Sequence, residues 1–168
     1  MNTDPTDSQE CPEPCLGWRA VTIATAFYTL CVSIATWPRI AWFRSCLPSL
    51  FDPLQHLWIM RWYKACLFEG QSLVLCPEVQ YPTGVPLGCF SPLHLQALLY
   101  IPLSLAIHND AFCYNLIWLF GMVSTGLGTF VLTWRVIGDR WCAGFGGVLA
   151  MLRAPMLFHA GAPLELIF

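Results

Sequence analysis

Two stretches of the chain carry no charged side chain: residues 20–37 and residues 111–134. Each approaches or exceeds the roughly 20 apolar residues that a helix needs to cross a bilayer core. A third uncharged stretch, 91–107, is shorter and contains Pro92 and Pro102. It reads either as a span or as a partial, re-entrant helix. A fourth apolar run, 141–158, is interrupted by Arg153 and Pro155. The first helix is expected over 17–37, stopped by Pro38. Trp18 and Trp37 lie at its two ends, where amphipathic rings prefer the membrane interface.

Loop 38–90 separates the first two of these stretches, and within it the pattern changes. Asp52-Pro53 has the grammar of a helix start: Asp is a preferred cap, Pro is favoured at the first helical position, and Gln55 follows as in a capping box. Gly70 gives the matching stop. The expected helix mixes Leu54, Leu57, Trp58 and Trp62 with His56, Arg61 and Lys64. It is too polar to span and suits the plane of the membrane surface. Residues 71–90 carry Pro77, Pro82, Pro86, Gly84 and Gly88, which predicts irregular structure.

Composition narrows the class. Only 11% of the 168 residues are charged, against about a quarter in soluble domains. A net charge of −2 gives no basic footprint for nucleic acid. Asp4, Asp7, Glu10 and Glu13 sit in a tail, 1–15, that reads as disordered. That acidic start, and the length of the apolar stretch behind it, argue for a retained anchor helix over a cleaved signal peptide. The nine cysteines are spread along the chain. Cys31, Cys113 and Cys142 fall in apolar segments, and Cys11-x-x-x-Cys15 lacks a second ligand pair. Most read as small apolar fillers, and a disulfide within the loop requires that it face an oxidising compartment. These features define an all-α, polytopic integral membrane protein, a membrane domain over 16–168 with an interfacial helix in its first loop.

Arg135 and Arg140 put the connector after the second long span on the cytoplasmic side. With the N-terminus also inside, 20–37 and 111–134 span and 91–107 does not fully cross. If 91–107 does span, the connector lies outside and the charge rule is broken once. The loop is extracytoplasmic in both versions. Gly121, Thr125 and Thr129 recur every four residues, beside Ser124 and Gly128. Such a face lets a second helix approach closely. Gly144-Phe145-Gly146-Gly147 likewise reads as packing, and no phosphate-cradling loop, zincin motif or nucleophile elbow occurs.

The residues able to do chemistry sit mainly in the loop. Asp52-Pro53-Leu54-Gln55-His56-Leu57-Trp58, then Arg61-Trp62, then Tyr81-Pro82-Thr83-Gly84, resembles the first loop of bacterial polytopic GT-C-type glycosyltransferases. Tyr114-Asn115-Leu116 opening a long helix, Arg135-x-x-Gly138 closing it, and Ala154-Pro155 followed by His159 are similar to later pieces of that family. The resemblance covers 52–168. It implies a polyprenyl-phosphate sugar donor used on the extracytoplasmic face of the bacterial cytoplasmic membrane. It also implies that Asp52 is the first-loop acid, acting as base toward the acceptor or as ligand of a divalent metal ion.

Each residue also has a plainer reading. Asp52 serves equally as a helix cap. His56, four residues on, either shares a metal with Asp52 or packs against Trp58. Arg61 and Lys64 meet either the donor's phosphate or anionic membrane lipid. Glu165, in an apolar stretch, is costly in lipid and therefore a substrate-site candidate. His159 either faces the same cavity or is structural. Glu69 and Glu78 read as solvated loop charges. The apolar ending Leu166-Ile167-Phe168 gives the expectation of an N-terminal fragment of a longer transferase. The competing reading is a small non-catalytic assembly partner that binds another helix through Gly121, Thr125 and Thr129. A transporter fragment would need an intramembrane charge pathway, which these helices lack.

Overall fold

The pattern just described resolves into helices, of which the last three are joined by two-residue connections. The structure is a computed structural model that describes residues 17–47, 52–80, 82–87 and 93–152. It is mostly helical: α1 (Trp18–Ala35), a 3-10 turn (Arg39–Trp42), α2 (Asp52–Glu69), a hairpin of β1 (Leu75–Cys76) and β2 (Val85–Pro86), α3 (His94–Ile107), α4 (Asp110–Ile137) and α5 (Arg140–Met151). The tail 1–15, the end of the fourth apolar run beyond residue 152, Glu165 and His159 lie outside the described residues.

Helix α1 deals with its own polar groups. The hydroxyls of Thr22, Thr25, Thr29, Ser33 and Thr36 each donate to the carbonyl four residues earlier, at 2.7–3.0 Å. A hydroxyl bonded this way presents little unsatisfied polarity to an apolar surrounding. Helix α4 is the spine. At about 1.5 Å per residue its 28 residues extend roughly 42 Å, beyond the roughly 30 Å of a bilayer core. The charge-free criterion underestimated it at both ends. Asp110 sits in its first turn and Arg135 in its last, where each charge complements the helix dipole. Asn109 caps its start by accepting from the Phe112 amide at 2.8 Å. Gly138 stops it with a left-handed φ of 76°, and Asp139 then caps α5 by accepting from the Trp141 and Cys142 amides. A left-handed glycine followed by a capping aspartate turns the chain back in two residues.

Helices α1, α4 and α5 share one core: Ala24, Tyr28 and Val32 meet Met122, Val123, Phe130, Trp134, Ala143 and Met151. At its centre α4 and α5 cross through Gly126 and Gly147. A Cβ at Gly147 would lie 2.7 Å from the Gly126 carbonyl and would collide with the Tyr28 phenol. Tyr28 is fully buried and donates to the Gly144 carbonyl at 3.2 Å. The packing role expected of the Gly144–Gly147 run thus belongs chiefly to Gly147. The small-residue row Gly121, Thr125, Thr129 takes no part in this crossing. Gly121 is exposed, and the two threonine hydroxyls donate to Gly121 and Thr125 carbonyls in their own helix.

The segment that follows α1 lies against the start of α4, so α1 and α4 run antiparallel. Helices α2 and α3 therefore gather at the end of the bundle opposite the Gly138–Asp139 connector. Leu57 and Met60 of α2, Ala97 and Tyr100 of α3, and Cys113 and Tyr114 of α4 form a second core there. Helix α3 has 14 residues, about 21 Å of rise, and is too short to cross a membrane. Helix α2 begins at Asp52 itself, one residue before the expected start, so the carboxylate stands in the first turn.

Where described, residues 71–90 are largely irregular, as expected, but they also hold one short hairpin that the sequence did not announce. Leu75 pairs with Pro86 and Cys76 with Val85 in an antiparallel hairpin. Its strands are too short to show alternation, and one contains proline at an edge, where no amide is needed. Gly84, with φ 71°, passes so close to the Cys76 carbonyl that a Cβ would stand 3.0 Å from it. Among the described residues the cysteines are free thiols.

The glycine crossing predicts a specific coupling. Gly147→Ala should destabilise the folded protein by about 1–3 kcal/mol through overpacking. Adding Tyr28→Ala should remove the phenol's share of the Gly147→Ala cost and leave the share set by the Gly126 carbonyl. Unfolding of the four variants in mixed micelles, read as a double-mutant cycle, measures the coupling; additive effects would contradict the seating of the Tyr28 ring against Gly147.

Candidate functional site

The start of α4 organises the polar end of the molecule. Asn115 is fully buried, and its amide nitrogen donates to the carbonyls of Phe43 and Cys46, both at 2.8 Å. Asn109 donates to the Arg44 carbonyl at 3.2 Å. Phe43 packs edge-on to Phe112, with ring centres 5.5 Å apart, and the Arg44 guanidinium lies over the same Phe112 ring. The segment leading toward α2 is thus pinned by side chains from the first two turns of α4. Within the resemblance motif Tyr114-Asn115-Leu116, Asn115 makes these bonds and Tyr114 joins the second core.

Three side chains from three helices meet beside this anchor. The Tyr100 hydroxyl donates to Asp110 Oδ1 at 2.7 Å, and Arg61 Nε lies 3.6 Å from Asp110 Oδ2. The Arg61 side chain is 66% exposed and that of Asp110 37%. An ion pair so open to solvent contributes at most about 1 kcal/mol. The Tyr100 bond differs, because that residue is only 1% exposed. Burial, then the hydrogen bond and negative charge of Asp110, push the Tyr100 phenol above its ordinary range, while Arg61 opposes. Tyr100 is held as a neutral donor to a carboxylate at a half-open surface. Nearby, Tyr63 Oη and His94 Nε2 approach to 3.3 Å.

Helix geometry divides the loop residues singled out in the sequence. Asp52 and His56 are four apart and share a face of α2. Arg61 lies nine residues past Asp52, which puts it about 14 Å along the axis and half a turn around. Lys64, three residues past Arg61, stands beside it. Asp52 is exposed and His56 half-buried. The four therefore form two pairs, one in the first turns of the helix and one in its second half. The acid that Arg61 meets is Asp110, which the sequence reading did not single out. The available signal was its position, the acid directly after a capping asparagine at the start of the longest apolar run.

Among the described residues, no three of His, Cys, Asp and Glu gather closely enough to hold a metal ion. Asp52 and His56 supply at most two donors, which is an incomplete shell for a divalent ion. The Tyr81-Pro82-Thr83-Gly84 motif includes part of the hairpin turn: the Thr83 and Gly84 amides and the Thr83 hydroxyl all donate to the Gln80 carbonyl. Gly138 of the Arg135-x-x-Gly138 motif is the stop of α4.

Comparison with protein-family models, with curated proteins and with solved structures finds no match.

The Tyr100–Asp110 bond carries a pH signature. A phenol raised above its unfolded value of 10.0 stabilises the fold fully below that pH, and the stability is lost as pH climbs through the folded value. Tyr100→Phe should lower stability near neutral pH by about 1 kcal/mol and remove its share of the alkaline loss. Phenolate absorbance recorded between pH 9 and 12, wild type minus variant, checks this. A tyrosine missing from the variant that titrates at or below pH 10 would contradict it.

Proposed function

We propose that the chain is a polytopic integral membrane protein of a bacterial cytoplasmic membrane. At the end bearing α2, the hairpin and α3, it takes part in transferring a sugar from a polyprenyl-phosphate donor. The observation that carries this reading is the division of the molecule into an apolar helical bundle and a cap on one end of it, in which the charged, aromatic-rich α2 and the hairpin lie with the apolar α3. Helices α1 and α4 are long and apolar enough to cross a membrane, and most of their surface is not covered by the rest of the chain. Ile23, Leu30 and Ile34 of α1 and Phe120, Leu132 and Val136 of α4 are all exposed. Core helices of a soluble domain hide such side chains, and the back-bonded hydroxyls of α1 suit the same apolar surrounding.

The antiparallel course of α1 and α4 supports one of the two topologies. The start of α1 and the Arg135–Arg140 connector share an end, which the positive charges favour as cytoplasmic. The cap then faces outward, with α3 beside the membrane surface. In this reading Asp52 accepts a proton from the acceptor hydroxyl, whose oxygen attacks the anomeric carbon. The bond to phosphate breaks and the phosphate leaves with the electron pair. Arg61 and Lys64, about 14 and 18 Å along the helix, meet anionic phosphate at the membrane surface and not the acceptor.

The test uses membranes containing the full chain and a polyprenyl phosphate carrying radiolabelled sugar. Wild-type membranes should move label to acceptor, and Asp52→Asn should slow transfer about 100-fold or more. Equal transfer by both would remove Asp52 from the chemistry. An impermeant thiol reagent that reaches a cysteine near residue 52 only after permeabilisation would put the cap on the wrong side for this reaction.

A second reading, a non-catalytic assembly partner, is favoured by one observation. A Cβ at Gly121 or Gly128 would meet nothing within 4 Å, so this stretch of α4 is open to another helix. Gly121→Leu should then weaken association with that helix about tenfold or more, measured by energy transfer in vesicles. Association unchanged by Gly121→Leu would rule out that face.

A further inference from the structure

The hairpin is fastened to α2 through one carbonyl. Trp62 Nε1 and Cys66 Sγ both donate to the Ser72 carbonyl, at 3.1 and 3.3 Å. The Ser72 hydroxyl in turn accepts from the amides of Val74 and Leu75. Those bonds deliver the chain directly into Cys76, which is fully buried with Trp62 and Leu87. Cys66 packs against the same small cluster from the last turns of α2, and it is half-buried where Cys76 is not exposed at all. Burial pushes the Cys66 thiol up, and the adjacent Cys76 thiol raises it further.

We propose that Cys66 and Cys76 are a disulfide-forming pair that ties the hairpin to α2. The two cysteines are ten residues apart and pack into one cluster, and the Ser72 bonds fix the chain between them, holding Cys66 on one side and the strand that leads to Cys76 on the other. The step is thiol–disulfide exchange with a disulfide-bearing oxidant, either oxidised glutathione or a protein dithiol oxidant. The accessible Cys66 thiolate attacks the oxidant's disulfide, forming a mixed disulfide and releasing one reduced thiol. The Cys76 thiolate then attacks the Cys66 sulfur and releases the second. Two protein thiols are oxidised and one oxidant disulfide is reduced to two thiols. Closing the bond replaces the weak Cys66–Ser72 contact with a covalent one. The sequence and fold allow this chemistry whether or not the proposed transferase reading holds.

The full chain, in detergent, is equilibrated with equal concentrations of oxidised and reduced glutathione. Free thiols are then blocked with N-ethylmaleimide at low pH. Digestion after Lys64, Glu69 and Glu78 gives peptides 65–69 and 70–78, each with one cysteine. Without reduction these two peptides should be found linked in most molecules, and thermal unfolding should shift upward by several degrees relative to the reduced protein. The link should persist in Cys89→Ser. Recovery of both peptides as their maleimide adducts would overturn the inference. So would finding peptide 70–78 joined to a peptide bearing Cys46 or Cys89.

Discussion

The crossing of α4 and α5 at Gly126 and Gly147, with the Tyr28 ring set into it, is the contact on which the bundle depends. Van der Waals attraction falls off within an ångström, so close backbone approach is worth having only where no side chain intervenes. Glycine on both helices allows it, and the aromatic ring of a third helix fills the space beside them. The ring also donates to the Gly144 carbonyl, which gives the packing a fixed rotation as well as a fixed distance. Edge-on contacts from Tyr28 to Phe130, and from Phe130 to Trp134, extend the same order along α4.

From that crossing the spine carries its influence to the other end. Because α4 is continuous, fixing its middle fixes its first turns. Those turns hold Asn115, which grips the chain after α1, and Asp110, which meets Tyr100 and Arg61. The cap is therefore not an independent domain resting on the bundle. Its second core contains Cys113 and Tyr114 of α4 itself. A disturbance at the glycines would reach the polar end through a rigid helix, not through loops.

Much of this was legible in the sequence, for reasons that differ by residue. Pro38 and Gly70 mark helix ends because their backbone constraints are local. The uncharged stretches mark α1 and α4 because transfer of charge into an apolar surrounding is costly wherever it occurs. Direction was harder. The rows Gly121/Thr125/Thr129 and Met122/Gly126/Phe130 are offset by one residue, a rotation of about 100°. Periodicity reveals both rows but cannot choose between them without the partner, and the structure chose the second for its own core. The Arg61–Asp110–Tyr100 meeting was illegible for the same reason: it brings Arg61 of α2 to Tyr100 and Asp110 of the two following helices, which only the packing of the three decides. The hairpin escaped because two-residue strands have no period to detect.

The self-bonded hydroxyls of α1 bear on the order in which the molecule can be assembled. Tyr28 waits for a carbonyl 116 residues further along the chain. Through that interval α1 must stand without its final neighbours. In the membrane setting proposed above, a helix whose serine and threonine groups relied on those neighbours would spend its early existence with unsatisfied polarity in an apolar medium. By bonding each hydroxyl to its own backbone, α1 is chemically complete as soon as it is helical. Recognition between helices is then left to shape, and it can be decided late, when both glycines have arrived.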